Sequence, residues 1–146
     1  MVAEARFVVR IPESIYNEML AHIVAGYPNE ACGALGSKDG TVLKNYPTAN
    51  AAEEPDDFSM ISEADIVGIY HDIDSYDGDM IYYHSHPKSE AYPSPRDIEW
   101  AKRSGYLYLI FSHRHYPDPP YSRIFAIDPH GGVIEGSIER ISVDTF

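Results

Sequence analysis

The chain has 146 residues, of which 44% are hydrophobic and 23% are charged, and its formal net charge is −12. This length and composition are typical of one globular domain, residues 1–146, with enough apolar residues to form a core. The acidic balance disfavours a nucleic-acid partner because it repels phosphate backbones. A single cysteine, Cys32, excludes an intramolecular disulfide.

The sequence shows no targeting or membrane segment. Residues 1–12 include Glu4, Arg6 and Arg10, so they lack the uninterrupted apolar stretch of a signal peptide. The longest apolar run, residues 106–111, is far shorter than the roughly 20 residues that span a bilayer. A lone cysteine fits a reducing compartment. We therefore expect a cytoplasmic protein that does not enter a membrane, and we make no prediction of its oligomeric state.

The first half of the chain predicts a strand, a helix, a hairpin and a second helix. Apolar residues at Ile15, Met19 and Ile23 recur every four positions, which is typical of one helix face. Asp39-Gly40 indicates a tight turn between two strands. The predicted elements are a strand at 8–11, a helix at 12–26, strands at 31–37 and 41–46, a loop at 48–57 and a helix at 62–77.

The second half predicts a strand, a third helix and further strands. Residues 80–86 are rich in β-forming side chains, Ser94-Pro95 begins a helix that reaches about residue 103, and Gly105 ends it. Residues 106–112 predict a central strand, and residues 113–121, with three prolines, predict a loop. The last three strands, at 123–128, 132–135 and 137–143, are predicted to form an antiparallel meander. Together the elements indicate a layered α/β or α+β domain.

Two histidines and an aspartate form the pattern that indicates chemistry. His84 and His86 lie at positions i and i+2 of a predicted strand, so their side chains point to one face. Asp97 falls in the first turn of the next helix, which must pack near the strand end for the three to meet. Two imidazoles and one carboxylate suit Zn²⁺, and three protein ligands leave a fourth position for water, as in catalytic sites. The pattern predicts one zinc ion per chain with a bound water.

Each part of this pattern also has a purely structural interpretation. An isolated His-x-His is usually incidental, and Ser94 and Asp97 match the N-cap and N3 positions of a helix. We expect that Asp97 cannot fully serve as both ligand and cap. A hydrolytic site also needs a general base. Glu30, between the first helix and the next strand, is the candidate, although a glutamate in such a position is ordinarily a surface residue.

Glu30 and the segment His84-x-His86-Pro87-x₆-Ser94-x-x-Asp97 resemble the signature of the JAMM (JAB1/MPN/Mov34) zinc metallopeptidases. The resemblance runs from about residue 8 to residue 143. Residues 29–33 and 90–94 are similar to the short bacterial branch, which includes a peptidase that releases cysteine from a ubiquitin-like sulfur-carrier protein. The resemblance implies a cytidine-deaminase-like α/β sandwich with a mixed central β-sheet flanked by three helices.

The resemblance also implies roles for the matched residues. His84, His86 and Asp97 would bind zinc. Glu30 would deprotonate the zinc-bound water and pass the proton to the leaving amine, and Ser94 would donate a hydrogen bond to the oxyanion. The implied reaction is hydrolysis of the amide bond after the C-terminal Gly-Gly of a ubiquitin-like sulfur carrier, which releases cysteine or a short extension. Only eight residues, 98–105, separate the aspartate from the next apolar run, so no long insertion is present there to grip ubiquitin.

Other functions stay open at this point. A deubiquitinase-like isopeptidase acting on ubiquitin-like conjugates would use the same chemistry. A non-catalytic MPN scaffold would usually lack a ligand, whereas all positions are intact here. A zinc nucleoside deaminase would need a Pro-Cys-x-x-Cys pair, which a single cysteine cannot supply.

Three further features receive structural interpretations. His113 and His115 form a second His-x-His without a carboxylate at matching spacing, so we interpret them as a loop feature. Cys32 is expected to be a buried structural thiol rather than a nucleophile. Trp100, three residues after Asp97, is expected to pack into the fold.

Overall fold

The computed structural model describes residues 7–114, 116–118 and 121–142. Within these residues the chain forms eight strands and three helices. In chain order they are β1 (Val8–Pro12), α1 (Glu13–Gly26), β2 (Cys32–Lys38), β3 (Thr41–Thr48), α2 (Glu63–Asp74), β4 (Asp79–His86), α3 (Pro95–Ser104), β5 (Leu107–Ser112), β6 (Ser122–Ile127), β7 (Val133–Glu135) and β8 (Ser137–Ile141). Across the described ranges, no helix combines the length and the apolar character needed to cross a membrane.

The strands form one mixed sheet with helices on both faces. Its order is β7-β6-β5-β4-β2-β3-β1-β8, and β4 pairs parallel with β5 and antiparallel with β2. Successive side chains of β4 point to opposite faces. Ile81 and Tyr83 pack in the core cluster that contains α1, whereas Met80 packs with α2. The α/β sandwich implied by the resemblance is therefore confirmed, with α1 on one face and α2 and α3 on the other.

Helix α1 anchors the larger core. It buries Tyr16, Met19 and Ile23, whereas Ile15 of the predicted stripe is only partly buried. Each large apolar side chain that leaves water contributes about 1.5–3 kcal/mol. The sheet beneath this helix is consequently the rigid platform from which β4 projects its last residues.

The predicted antiparallel meander at the end of the chain is wrong in its last strand. β7 pairs with β6, but β8 pairs in parallel with β1 at the opposite edge of the sheet. Only Gly136 separates β7 from β8, which is too short for a hairpin turn. The Gly136 N–H donates to Ile124 O of β6 and the next N–H, of Ser137, donates to Phe7 O beside β1. The sheet therefore curls until its edges meet at Gly136, where a Cβ atom would lie 2.4 Å from the Phe7 ring.

Candidate active site

His84 and His86 end strand β4 on the face that α2 and α3 cover. Both are buried, with 0% and 4% of their surface exposed. Their Nε2 atoms face each other at 3.2 Å. The alternation predicted from the sequence therefore brings the two rings to one point inside the protein.

Asp97 completes the cluster from the first turn of α3. Its Oδ1 lies 3.2 Å from His84 Nε2, and its Oδ2 lies 3.0 Å from His86 Nε2. The same carboxylate accepts a hydrogen bond from Ser94 N–H at 2.9 Å, and Asp97 N–H donates to Ser94 Oγ at 3.1 Å. The expectation that Asp97 could not serve both arrangements is wrong, because a carboxylate has two oxygens and about four lone-pair sites.

The charges within the cluster support one another. Burial acts to raise the pKa of Asp97, but the neighbouring His84 and His86 rings and the Ser94 N–H hold it well below its usual range. Burial acts to lower the pKa of His86, but the Asp97 carboxylate outweighs burial and raises it. The site thus stabilises an ionised carboxylate together with positive charge in a buried place.

The donor set fits a divalent metal ion. Ligand atoms bound to one tetrahedral zinc at 2.0–2.1 Å are about 3.3 Å apart, close to the 3.0–3.2 Å separations of the three side chains. His86 Nδ1–H donates to Glu90 O at 2.8 Å, which leaves the Nε2 lone pair directed into the cluster. The ligand atoms of His84, His86 and Asp97 form a group able to hold one metal ion.

Strand pairing brings Glu30 to this cluster. Cys32 lies directly opposite His84 in the antiparallel β2–β4 pair, so their side chains share a face. Glu30 precedes Cys32 by two residues and therefore lies on that face, level with His86. Sequence spacing alone could not place it, because 54 residues separate Glu30 from His84.

Glu30 is buried rather than exposed. Only 8% of its surface is accessible, in contrast to an ordinary glutamate of an Asn-Glu pair. Burial raises the pKa of its carboxyl, and the His84 and His86 rings partly oppose that rise. A buried carboxyl with a raised pKa beside a metal-type cluster is the arrangement expected of a general base.

Ser85 is a residue that the motif analysis missed. It lies between the two histidines, so its side chain points to the opposite face, where it is fully buried. Ser85 Oγ accepts a hydrogen bond from Ala31 N–H at 2.8 Å, and Ser85 N–H donates to Ala31 O at 3.0 Å. These bonds fix the residue after Glu30 to the strand that carries the histidines. Its position inside His-x-His was the only signal for it.

Two cavities flank the cluster and differ in chemistry. The apolar groove, of about 380 Å³, begins at Asp97. Its other lining residues include Phe58, Met60, Ile66, Tyr82, Trp100, Arg103, Tyr106 and Tyr108. The acidic cavity, of about 550 Å³, is lined by Glu30, Glu54, Asp56, Asp57, Pro87, Lys88 and Ser89. The cluster therefore lies between an apolar surface and an acidic one.

Trp100 does not pack into the core as expected. Helix α3 turns it outward, and 54% of its surface is exposed. Its ring lies 6.4 Å from the Phe58 ring across the apolar groove. Exposed aromatic side chains along a groove are typical of a contact surface rather than of core packing.

The remaining sequence interpretations concern residues outside the cluster. His113 lies in the turn after β5, where its ring packs at 4.9 Å from the Phe111 ring and burial lowers its pKa. His115 lies outside the described residues. Cys32 is fully buried, as predicted, and burial raises the pKa of its thiol, which disfavours a nucleophilic role.

Comparison with characterised proteins gives relatives in one enzyme group. The chain is 41% identical over 88 residues to the desampylase of Haloferax volcanii, an alignment that covers 58% of this chain and 63% of that protein. It is 30% identical over 116 residues to the CysO-cysteine peptidase of Mycobacterium tuberculosis, covering 75% of this chain and 79% of the relative.

A solved structure and a family model extend the comparison. A protein from Desulfitobacterium hafniense, known from its solution structure, superposes with a TM-score of 0.80 at 31% identity, covering 92% of this chain and 94% of that one. The family model described as prokaryotic homologs of the JAB domain matches residues 12–127, which include Glu30 and the whole His84–Asp97 segment. The chain belongs to the family of prokaryotic JAB-domain proteins.

Proposed function

We propose that the protein is a zinc-dependent peptidase or isopeptidase that cleaves the amide bond after the C-terminal Gly-Gly of a ubiquitin-like sulfur-carrier protein. The observation that carries the proposal is the buried convergence of His84, His86 and Asp97 beside the buried Glu30. The relatives named desampylase and CysO-cysteine peptidase support a peptidase of this kind. We further propose one zinc ion per chain and a cytoplasmic location.

The side chains divide the reaction between them. A zinc ion held by His84, His86 and Asp97 supplies Lewis acidity and lowers the pKa of a coordinated water to about 7. Glu30 accepts the proton of the attacking water and then delivers it to the nitrogen that leaves. Ser94 Oγ accepts from Asp97 N–H, so its own hydroxyl proton is free to donate to the oxyanion.

The apolar groove supports the choice of a carrier tail as substrate. It leads away from Asp97 between α2 and α3 and is lined with aromatic side chains. A tail that ends in two glycines brings no side chain to the crowded end of this groove, where its backbone must approach the buried cluster. Residues upstream of the glycines would contact Trp100 and Phe58.

Ser94 provides a test that separates catalysis from stability. Ser94→Ala and Ser94→Gly both remove the hydroxyl, so both are expected to lower kcat by about 10²-fold through loss of the oxyanion donor. Glycine replaces an N-cap serine at a cost of a few tenths of a kcal/mol, whereas alanine costs about 1 kcal/mol. Steady-state kinetics and thermal unfolding of the pair measure the two effects. Near wild-type kcat in Ser94→Gly would remove Ser94 from the reaction.

The acidic cavity favours a second candidate, an isopeptidase that acts on lysine-linked conjugates. Glu30 must reach the leaving nitrogen, so the cavity that it lines receives the leaving group. The exposed carboxylates of Glu54, Asp56 and Asp57 attract a basic segment around a conjugated lysine. They repel the free α-carboxylate of a released amino acid, although Lys88 in the same cavity offsets part of this repulsion.

Two substrates test the proposed function and its alternative together. The zinc-loaded protein is incubated with a Gly-Gly-ending carrier extended by cysteine, and separately with the same carrier linked through the glycine to a lysine of a second protein. Intact-mass measurement with and without a chelator follows both reactions. Faster cleavage of the cysteine-extended carrier supports the main proposal, and faster cleavage of the conjugate supports the isopeptidase. Cleavage of neither by zinc-loaded protein would contradict both.

A further inference from the structure

The segment of residues 50–60, here called the clamp loop, forms a wall of both cavities. Glu54, Asp56 and Asp57 line the acidic cavity, whereas Phe58 and Met60 line the apolar groove. The shape of both cavities therefore depends on how this loop is held. It lies between β3 and α2 and carries no regular secondary structure that would fix it.

Asn50 holds the clamp loop closed. Its Oδ1 accepts hydrogen bonds from Ala52 N–H and Met60 N–H, both at 3.0 Å. Its Nδ2 donates to Phe58 O and to Glu30 O, both at 2.9 Å. The side-chain amide thus uses two acceptor and two donor positions, which is its ordinary full capacity. The loop ends are also joined by Ala51 N–H, which donates to Met60 O at 2.8 Å.

The same loop grips the main chain of Glu30 from both sides. Glu30 N–H donates to Pro55 O at 2.7 Å, and Glu30 O accepts from Asn50 Nδ2 at 2.9 Å. Glu30 lies just before β2, outside the paired strand, so these two bonds supply what the sheet does not. By contrast, no hydrogen bond links the clamp loop to His84, His86 or Asp97 among the described residues.

We propose that Asn50 is a positioning residue for catalysis, which places the Glu30 carboxylate through the clamp loop. The catalytic consequence rests on the proposed function, whereas the clamp itself does not. A general base must lie within hydrogen-bond reach of the proton that it removes. A misplacement of 1 Å can cost about 10²-fold in rate. The metal ligands are held by β4 and α3, so their arrangement is independent of Asn50.

Three variants separate positioning from general destabilisation. Asn50→Ala removes all four bonds. Asn50→Asp keeps the acceptor oxygens for Ala52 and Met60 but turns a carboxylate oxygen toward the carbonyl oxygens of Glu30 and Phe58. Asn45→Ala is the matched control, because Asn45 accepts a bond from Tyr83 O–H at 3.0 Å and contributes none to Glu30. We measure kcat, KM, zinc content and amide hydrogen exchange for each.

Both Asn50 variants are expected to lower kcat by 10- to 100-fold, with a smaller change in KM and full zinc content. The Asn45 control is expected to retain kcat within about threefold, because the loss of its bond to Tyr83 acts on stability and leaves the main chain of Glu30 in place. Wild-type kcat in Asn50→Asp would overturn the proposal, because the donor bonds to Glu30 would then be dispensable. So would a kcat in Asn45→Ala as low as in Asn50→Ala.

Hydrogen exchange tests the clamp without any substrate. In the wild-type protein, the amides of Glu30 and Met60 are expected to exchange slowly, and in Asn50→Asp the Glu30 amide is expected to exchange faster. Rapid exchange at Glu30 in the wild-type protein would overturn the clamp even if the enzyme were active. Slow exchange in a protein that cleaves neither carrier substrate would instead retain the clamp and contradict the proposed function. The wild-type measurement stands if an Asn50 variant does not fold.

Discussion

Glu30→Gln is expected to lower the rate of carrier cleavage by about 10²- to 10⁴-fold while zinc stays bound. Glutamine has nearly the shape of glutamate, so the buried position beside His86 stays filled, but an amide cannot accept the proton of the attacking water. The carboxylate is not one of the three ligand groups, so metal content should be unchanged. Intact-mass assays of cleavage and elemental analysis of the purified variant measure the two quantities.

The matched control for this prediction is Glu54→Gln. Glu54 is exposed and lines the same acidic cavity, so its substitution removes the same charge without removing the base. We expect cleavage by Glu54→Gln to stay within a few-fold of wild type, since an exposed charge acts weakly through solvent. Full activity in Glu30→Gln would show that another group takes the proton. Equal losses in both variants would show that cavity charge, rather than proton transfer, governs the rate.

The metal cluster was largely predictable because its geometry is local. His84 and His86 occur two positions apart, and any strand places such residues on one face. Asp97 follows a loop of eight residues that leads straight into α3, so the helix N-terminus cannot lie far from the strand end. What the pattern could not give was the double use of the Asp97 carboxylate, because the orientation of its two oxygens depends on how α3 docks.

The surroundings of the cluster were less predictable because they depend on long-range pairing. Glu30 reaches the site only through the β2–β4 register, which a single sequence does not reveal. Asn50 lies in a segment whose composition indicates only a polar loop, and its bonds to residues 30 and 58 require the folded chain. The prediction for β8 failed for the same reason, since local spacing does not determine which sheet edge a strand joins.

His84→Ala is expected to abolish both zinc binding and cleavage, with a rate loss above about 10³-fold. Removing one of three ligands leaves two, which is fewer than zinc sites of either the structural or the catalytic kind use. Chelation of the wild-type protein should produce the same inactivity, and added zinc should reverse it in the wild type alone. Elemental analysis and the cleavage assay before and after zinc addition measure this contrast.

Thermal unfolding gives this prediction a readout that does not depend on substrate. A ligand present at about 1,000 times its Kd stabilises the folded state by about 4 kcal/mol, which corresponds to a rise in Tm on the order of 10 °C for a chain of this size. We expect added zinc to raise the Tm of the chelated wild type and of His113→Ala, since His113 lies outside the cluster. In His84→Ala the rise should vanish. A zinc-dependent rise of wild-type size in His84→Ala would place the metal elsewhere, and the hydrolytic mechanism would lose its centre.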